Sequence, residues 1–523
     1  MNRDTMLAAV REEARKWDFI IIGGGATGLG TAIEAASRGY RPLLLEQSDF
    51  AKGTSSRSTK LVHGGVRYLQ QGNIALVLEA LKERGRLLRN APHLVKNLPF
   101  IVPNYDWWEG PFYGIGLKMY DLLAGRQGFG RSKHLSKERT LELLPTLEPK
   151  GLLGGVIYHD GQFDDARLSI NMAQTAARQG AVLVNYMAVT ALVREEGEIR
   201  GVVARDAESG EQYEIRARAV VNATGVFTDC VRRMDDAEVP NMIAASQGVH
   251  IVLDRSFLPG GTAIMVPKTD DGRVLFAIPW LGRTVVGTTD TPVSETSLEP
   301  KPLREELEFL LEHAARYLSI DPKPQDVLST FAGLRPLVRG EAEMEGTAAL
   351  SRDHTLHISG SGLVTITGGK WTTYRKMAED TIDQAATVAG LDERPSVTAD
   401  LRIHGHHHNA DGFGDLHFYG ADAPGVLSLI RSQPRFGKLL HPDHPTRLGE
   451  VAWAARNEMA RTVEDFLSRR TRTLLLDARA SMEMAPAVAE QLSEDLGRGD
   501  GWAEEQVRSY RDLARDYLMP AGS

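Results

Sequence analysis

The 523-residue sequence predicts an α/β protein of more than one domain, and three observations predict it. A strand, a glycine-rich turn and a helix follow one another near the N-terminus. The middle of the chain alternates short apolar runs with Gly and Pro, the pattern of an antiparallel sheet. Beyond about residue 400 these runs give way to long charged stretches of helical character. A chain of this length exceeds what one hydrophobic core normally organises.

The first element is the most specific. Residues 18–22 are β-rich and lead into Gly23-Gly24-Gly25-Ala26-Thr27-Gly28. Helix-favouring residues 29–38 follow, Gly39 is placed to end that helix, and residues 41–45 form a second apolar strand closed by Glu46. This is a Rossmann-type βαβ unit. Gly23 permits the tight turn, Gly25 lets a pyrophosphate approach the backbone, and Gly28 lets helix and strand pack closely. Amides at the helix N-terminus face the anion. Glu46, roughly 20 residues on, stands where a ribose hydroxyl is bound, which favours FAD or NAD over NADP.

The other elements are read in order. Residues 76–90 are helical and stop at Pro92; 94–105 and 107–113 are extended or irregular. Residues 151–158 and 181–204 are strands, the latter with a turn at Glu195-Glu196-Gly197, and 167–179 between them is a helix. Residues 219–222 form a short buried strand ending in Ala223-Thr224-Gly225, and residues 246–289 alternate short strands with turns. Residues 363–366 form a strand before Gly368-Gly369, with a helix from about Lys370. In the last part, helices are expected around 449–468 and 486–496.

Composition bounds the function. Hydrophobic residues make up 42% and charged residues 25%, an ordinary globular balance. The net charge of −8 argues against a general nucleic-acid binder. The single cysteine, Cys230, excludes an internal disulfide and a zinc–cysteine site, and is expected to be a small buried side chain. No secretory signal and no run of about 18 apolar residues occurs, so neither export nor a membrane-spanning helix is expected. His404, His406, His407 and His408 lie in a polar loop without zinc-motif spacing, and no metal is expected. Trp107, Trp108, Phe112, Tyr113, Ile115, Leu117 and Met119 are dense in aromatic and apolar groups, with Lys118, Arg126 and Arg131 nearby. They suit either an interfacial membrane segment or packing inside a substrate domain.

A flavin needs more than the glycine turn to hold its ring. Three segments are candidates: residues 54–68, Asn222-Ala223-Thr224-Gly225, and Gly368-Gly369-Lys370. Together with Asp164-Asp165-Ala166-Arg167-Leu168, Gly287-Thr288-Thr289-Asp290, Gly333-Leu334-Arg335-Pro336-Leu337 and residues 368–376, they make the chain resemble the FAD-dependent glycerol-3-phosphate dehydrogenases. That family lies within the wider D-amino-acid-oxidase-like flavoprotein group. The resemblance covers nearly the whole chain, the helical C-terminal part included. Trp371 departs from it, since Leu is common there, and Ser246-Gln247-Gly248-Val249 match only loosely.

The resemblance implies a Rossmann-type FAD-binding domain assembled from residues 17–100, 151–235 and 331–399. It further implies an antiparallel-sheet substrate domain from 101–150 and 236–330, and a C-terminal helical cap domain over 400–523. FAD would be held non-covalently by Gly23, Gly25, Gly28, Glu46, Thr54, Ser55, Ser56, His63, Gly64, Gly65, Gly225, Gly369, Lys370 and Thr372. The substrate, glycerol 3-phosphate, would meet His63, Arg67, Tyr68, His250, Arg335 and Lys370. Chemistry supports that set independently: a phosphate dianion needs cations, arginine offers a planar fork, and histidine is the natural base near neutral pH. Arg335 and Lys370 are assigned chiefly to phosphate with Arg67 assisting, and His250, with His63 as the alternative, to the base. Each has a purely structural reading too: a turn cap for His63, a satisfied histidine for His250, an ion pair for Arg335. The resemblance also implies oxidation to dihydroxyacetone phosphate, electrons passed to membrane quinone or else to oxygen, a homodimer, and a cytoplasmic protein peripheral on the inner face of the membrane. An amine or amino-acid oxidase on the same fold is the rival reading.

Overall fold

The computed structural model describes residues 1–12, 16–65, 73–106, 109–125, 130–267, 269, 272–339 and 354–520. Arg67, Tyr68, Trp107, Trp108 and Arg126 lie outside the described residues.

Two sheets organise the chain. The first has, among the described residues, eight strands. Its parallel heart runs Leu363–Gly368, Gln212–Asn222, Trp17–Ile22, Pro42–Leu45, Val182–Val184. Side chains alternate strictly across it. Phe19, Ile21, Leu44, Leu183, Val221 and Val364 face one way, onto the helices Ala26–Ser37, Asp165–Arg178 and Tyr374–Val388. Ile20, Ile22, Leu43, Val184 and Val220 face the other way, onto an antiparallel meander of Met187–Glu195, Glu198–Asp206 and Gln212–Asn222. Glu196 and Gly197 take positive φ at the hairpin between the first two, the backbone a two-residue hairpin turn requires.

The second sheet has ten strands among the described residues, centred on Ile243–Asp254, which pairs with Arg283–Gly287 and Val327–Val338. All its pairings are antiparallel except one, where Ala263–Val266 runs parallel to Val95–Asn104. Gly154–Phe163 and Leu61–Val62 belong to this sheet, so the chain crosses between the two sheets several times. The helix Arg304–Tyr317 packs on one face through Leu307, Leu310 and Ala314. The C-terminal helices Leu448–Asn457, Ala478–Leu496 and Trp502–Arg515 pack on the other, where Val451, Val488 and Ala514 meet Phe100, Val102, Trp280 and Phe331.

Two expectations are corrected. Residues 109–113, expected to be extended or irregular, instead begin a helix that runs over Glu109–Ala124. Pro111 sits in that helix's first turn, where a missing N–H costs no intrahelical bond. Cys230 is exposed, not buried. It lies on the eight-residue helix Thr228–Asp235, whose buried side is taken by Thr228, Asp229, Val231 and Arg232.

Charged groups are buried at the joints with the C-terminal part. Asp49 accepts from Arg469 at 2.5 Å and from Arg470 at 2.5 and 3.0 Å. Arg167 forms a two-pronged pair with Glu458 at 2.8 and 2.5 Å, both side chains fully buried. Among the described residues, no cation is bonded to Glu450. Its carboxyl is 2% exposed, caps the helix Leu448–Asn457 by accepting from Arg447 N at 2.8 Å, and takes a second bond from Tyr419 Oη. Burial pushes its pKa up to about 7, outweighing the pull of Arg447 N–H and Tyr419.

That shift has a sign. The folded state holds a proton on Glu450 that the unfolded chain, with an ordinary value of 4.5, has released. Its contribution is therefore fully present below about pH 4.5 and lost as pH rises through about 7, a span worth on the order of 3 kcal/mol. Glu450→Gln is expected to remove this slope. Urea melts of the variant and parent should diverge between pH 5 and 8, the variant becoming relatively more stable as pH rises. Parallel curves would show that Glu450 is ionised in the fold throughout.

Candidate functional site

The site is built where the two sheets meet. At the carboxyl end of Trp17–Ile22 the chain turns through Gly23, whose φ of +109° suits only glycine and whose Cβ would meet Ala223 O at 2.6 Å. A Cβ on Gly28 would collide with Gly23 O, so helix and strand touch there by backbone alone. Gly25 precedes the helix and faces a cleft, and Ser55 Oγ accepts from Ala26 N at 2.9 Å beside it. Glu46 sits at the end of Pro42–Leu45, accepting from Gly24 N at 2.6 Å and Ser48 N at 2.9 Å. Burial raises its carboxyl pKa while those two amides pull it back down.

The cleft is lined by Gly23, Gly25, Glu46, Thr54, Ser55 and Gly225, and Cys230 also faces it. Gly225 has φ +57° and open space where a side chain would stand. Adjoining it is a second cavity whose walls include Thr59, His63, Gly65, His250, Arg335 and Thr372. Thr54, Pro336, Gly368, Gly369, Lys370 and Trp371 line both. Gly368 and Gly369 take φ of +74° and +69° in succession, a bend that brings bare backbone between the two spaces. The donors and shape suit a dinucleotide: a helix N-terminus and small hydroxyls for diphosphate, an acid for ribose, and a glycine bend against which a flat ring can lie.

Of the residues singled out from the sequence, His63, His250, Arg335, Lys370 and Thr372 converge on the second cavity. Gly23, Gly25, Glu46, Thr54, Ser55 and Gly225 converge on the first. Gly28 stands behind the turn; Ser56 is buried and gives its carbonyl to Lys60 Nζ at 2.7 Å. Gly64 supports the wall from behind, its N–H donating to Tyr120 Oη at 2.9 Å. His63 N donates to Thr372 Oγ1 at 3.2 Å, joining the two loops. His404 pairs with Asp422 at 2.5 Å, its N–H bonds Thr175, and it lies outside both cavities.

The geometry of the second cavity is tightly supported. Arg335 donates to Asp290 at 3.3 Å, Thr288 Oγ1 at 3.1 Å and Thr289 O at 3.0 Å. Its side chain remains 28% exposed, so the pair with Asp290 positions the guanidinium without burying it. His250 is 2% exposed and stacks on Phe331 at 4.7 Å. Its pKa is pushed well below the usual value by burial, with Lys60 and Arg335 adding to the effect, so the imidazole is neutral at neutral pH. Thr59 Oγ1 lies 3.0 Å from His250 Nε2. Sequence reading missed Thr59, Asp290, and the buried set of Arg84, Asp160 and Tyr120 behind Gly64. Thr59 and Asp290 lie in segments already singled out, without being named as site residues; nothing local marked the others.

Residues 18–375 match the family described as FAD dependent oxidoreductase, and residues 363–507 match the C-terminal domain of alpha-glycerophosphate oxidase. The mitochondrial glycerol-3-phosphate dehydrogenase of Homo sapiens is 40% identical over 547 residues, covering 98% of this chain and 74% of that protein. The enzyme of Arabidopsis thaliana is also 40% identical, over 96% of this chain and 86% of its own. The crystal structure of glycerol-3-phosphate dehydrogenase from Bacillus halodurans, complexed with FAD, superposes with a TM-score of 0.81 at 30% identity, covering 100% of this chain and 98% of that one.

The fit of the cleft to FAD has a direct check. Gly25→Val would place a branched side chain in the cradle while the helix behind it stays packed. Purified variant is expected to lose its 450 nm absorbance, with FAD affinity down by roughly 100-fold or more, and to keep the parent's far-UV circular dichroism. A fully yellow variant would move the diphosphate away from Gly25. The glycine turn, the two adjoining cavities and the full-length likeness agree, and the chain belongs to the FAD-dependent glycerol-3-phosphate dehydrogenases.

Proposed function

We propose that this protein oxidises sn-glycerol 3-phosphate to dihydroxyacetone phosphate and passes the electrons to a membrane quinone. The observation that carries the first half is the convergence of Arg335, Lys370, His63 and His250 on one cavity that shares Gly368 and Gly369 with the nucleotide cleft. Cations in the wall of a cavity suit a phosphate dianion, and the fork of Arg335 is held ready by Asp290, Thr288 and Thr289. His250, neutral and fixed against Phe331, is the base for the substrate hydroxyl; His63 is the alternative. FAD, when bound, supplies the hydride acceptor. Arg67 and Tyr68 complete the substrate set by resemblance.

The quinone half rests on surface chemistry. The helices Ile74–Asn90 and Glu109–Ala124 pack together through Val77, Leu81 and Tyr120. Outside that contact they expose Ile74 and Leu78 on one and Met119 and Leu122 on the other, Leu122 being 80% exposed. Grouped exposed apolar side chains on paired helices suit a lipid surface, from which a quinone is reached. No helix of the described residues is long and apolar enough to cross a membrane.

Anaerobic mixing with glycerol 3-phosphate is expected to bleach the flavin. Arg335→Ala should raise the substrate concentration needed for half-maximal bleaching by about 100-fold, as loss of a charge-assisted phosphate contact does, with FAD retained. Bleaching by amino acids instead would overturn the substrate, and unchanged kinetics would take Arg335 out of the site.

For the acceptor, turnover is expected with a short-chain ubiquinone analogue, and the protein should float with phospholipid vesicles. Leu122→Glu should cut vesicle binding by roughly 10-fold, the loss of one well-inserted apolar side chain, and leave turnover with a soluble dye unchanged. Stoichiometric peroxide in air with no quinone reduction would make it an oxidase.

A further inference from the structure

We propose that Thr59 is a catalytic residue that relays the substrate's hydroxyl proton to His250, an inference that rests on the reading of His250 as the base. The cavity presents Thr59 and His250 differently. His250 is 2% exposed, whereas Thr59 is only partly buried and lines the same wall. The imidazole cannot turn toward an incoming substrate. One face lies on Phe331 at 4.7 Å with the planes 13° apart, and the edge abuts Gly287, where a Cβ would collide with Cδ2. Nε2 is engaged by Thr59 Oγ1 at 3.0 Å, and Nδ1 is buried with no hydrogen-bond partner among the described residues. Among the described residues, Thr59 is thus the one polar group bonded to the ring, and it lines the same cavity as the ring.

The backbone that places this hydroxyl is held in an uncommon conformation. Lys60, the next residue, has φ +64°, a left-handed value that costs a non-glycine residue about 1 kcal/mol or more. Buried bonds on both sides of Thr59 over-determine it. Ser58 N and Oγ donate to Asp165 at 3.1 and 2.7 Å, and Lys60 Nζ donates to the same carboxylate at 2.8 and 2.9 Å. Strain kept by surrounding bonds points to a position whose side-chain direction matters.

The step balances as follows. With Nδ1 carrying the ring proton, Nε2 offers its lone pair to the Thr59 hydroxyl. The substrate O–H bond breaks as its proton forms a new O–H on Thr59 Oγ1. The proton already on Thr59 passes to Nε2, giving imidazolium. The electron pair left on the substrate oxygen closes the carbonyl as the adjacent C–H leaves as hydride to oxidised flavin, which is reduced by two electrons. Two protons move together, and Thr59 ends as it began.

The test is the rate of flavin reduction by glycerol 3-phosphate under single turnover, for parent protein, Thr59→Val and Thr59→Ser, all with FAD bound. Thr59→Val keeps the shape and removes the hydroxyl; the rate is expected to fall by about 100-fold, the scale of a lost proton-transfer group, with substrate affinity changed less than about three-fold. Thr59→Ser should restore the rate to within about five-fold on the same argument. The parent alone should give a bowed dependence of rate on deuterium fraction, the mark of two protons in flight, and this needs no variant to fold. An unchanged rate in Thr59→Val, an equal loss in both variants, or a linear dependence in the parent would each overturn the relay. Failure of the parent flavin to bleach at all would instead sink the substrate assignment, so the two failures are told apart.

Discussion

One short stretch, Asp164-Asp165-Ala166-Arg167, ties the molecule together. It opens the helix Asp165–Arg178, and its three charged side chains reach three different parts of the chain. Asp164 caps the helix, accepting from Arg167 N at 3.1 Å, and pairs with Arg472 at 2.9 Å. Asp165 holds Lys60 and Ser58. Arg167 holds Glu458. Residues 54–65, which line both cavities, are thereby fixed to the parallel sheet from one side, and the C-terminal helices from the other. The charged groups among these are all buried, and losing one member of such a pair leaves a bare charge at a cost of about 3–5 kcal/mol.

The C-terminal part is therefore not an independent appendage. Its helices cover one face of the second sheet, and Phe331, which backs His250, belongs to that same apolar cluster. Arg469 and Arg470 close on Asp49, three residues beyond Glu46 in the wall of the first cavity. Packing and buried charge thus connect the far end of the chain to both cavities, although none of its residues lines either one.

What could be read from the sequence follows sequence distance. The glycine turn, Glu46 and the strands around them are largely local: Gly28 meets Gly23 within the turn and Gly24 N bonds Glu46 one strand on, so spacing carries the signal. The partners that hold the site are distant, Thr59 and His250 by 191 residues, Lys60 and Asp165 by 105, Arg167 and Glu458 by 291. Nothing in the periodicity around Thr59 distinguishes it from its hydroxyl neighbours Ser55, Ser56 and Ser58. Only the fold shows that Ser55 serves the helix N-terminus, Ser58 the buried carboxylate and Thr59 the imidazole. Cys230 failed for a related reason: which side of a two-turn helix faces the core is set by its neighbours, not by its own eight residues.

The charge of the cavity sets a condition on the chemistry. Lys60 and Arg335 both disfavour a proton on His250, and burial does so more strongly. As the proposed base, His250 is neutral and available at neutral pH, but it holds a proton poorly. A phosphate dianion seated at Arg335 would cancel part of that repulsion. Substrate binding would then raise the proton affinity of the base at the moment it is needed. On the proposed reading the 28% exposure of Arg335 beside Asp290 has a use: a fully neutralised arginine would neither hold a dianion nor sense its arrival.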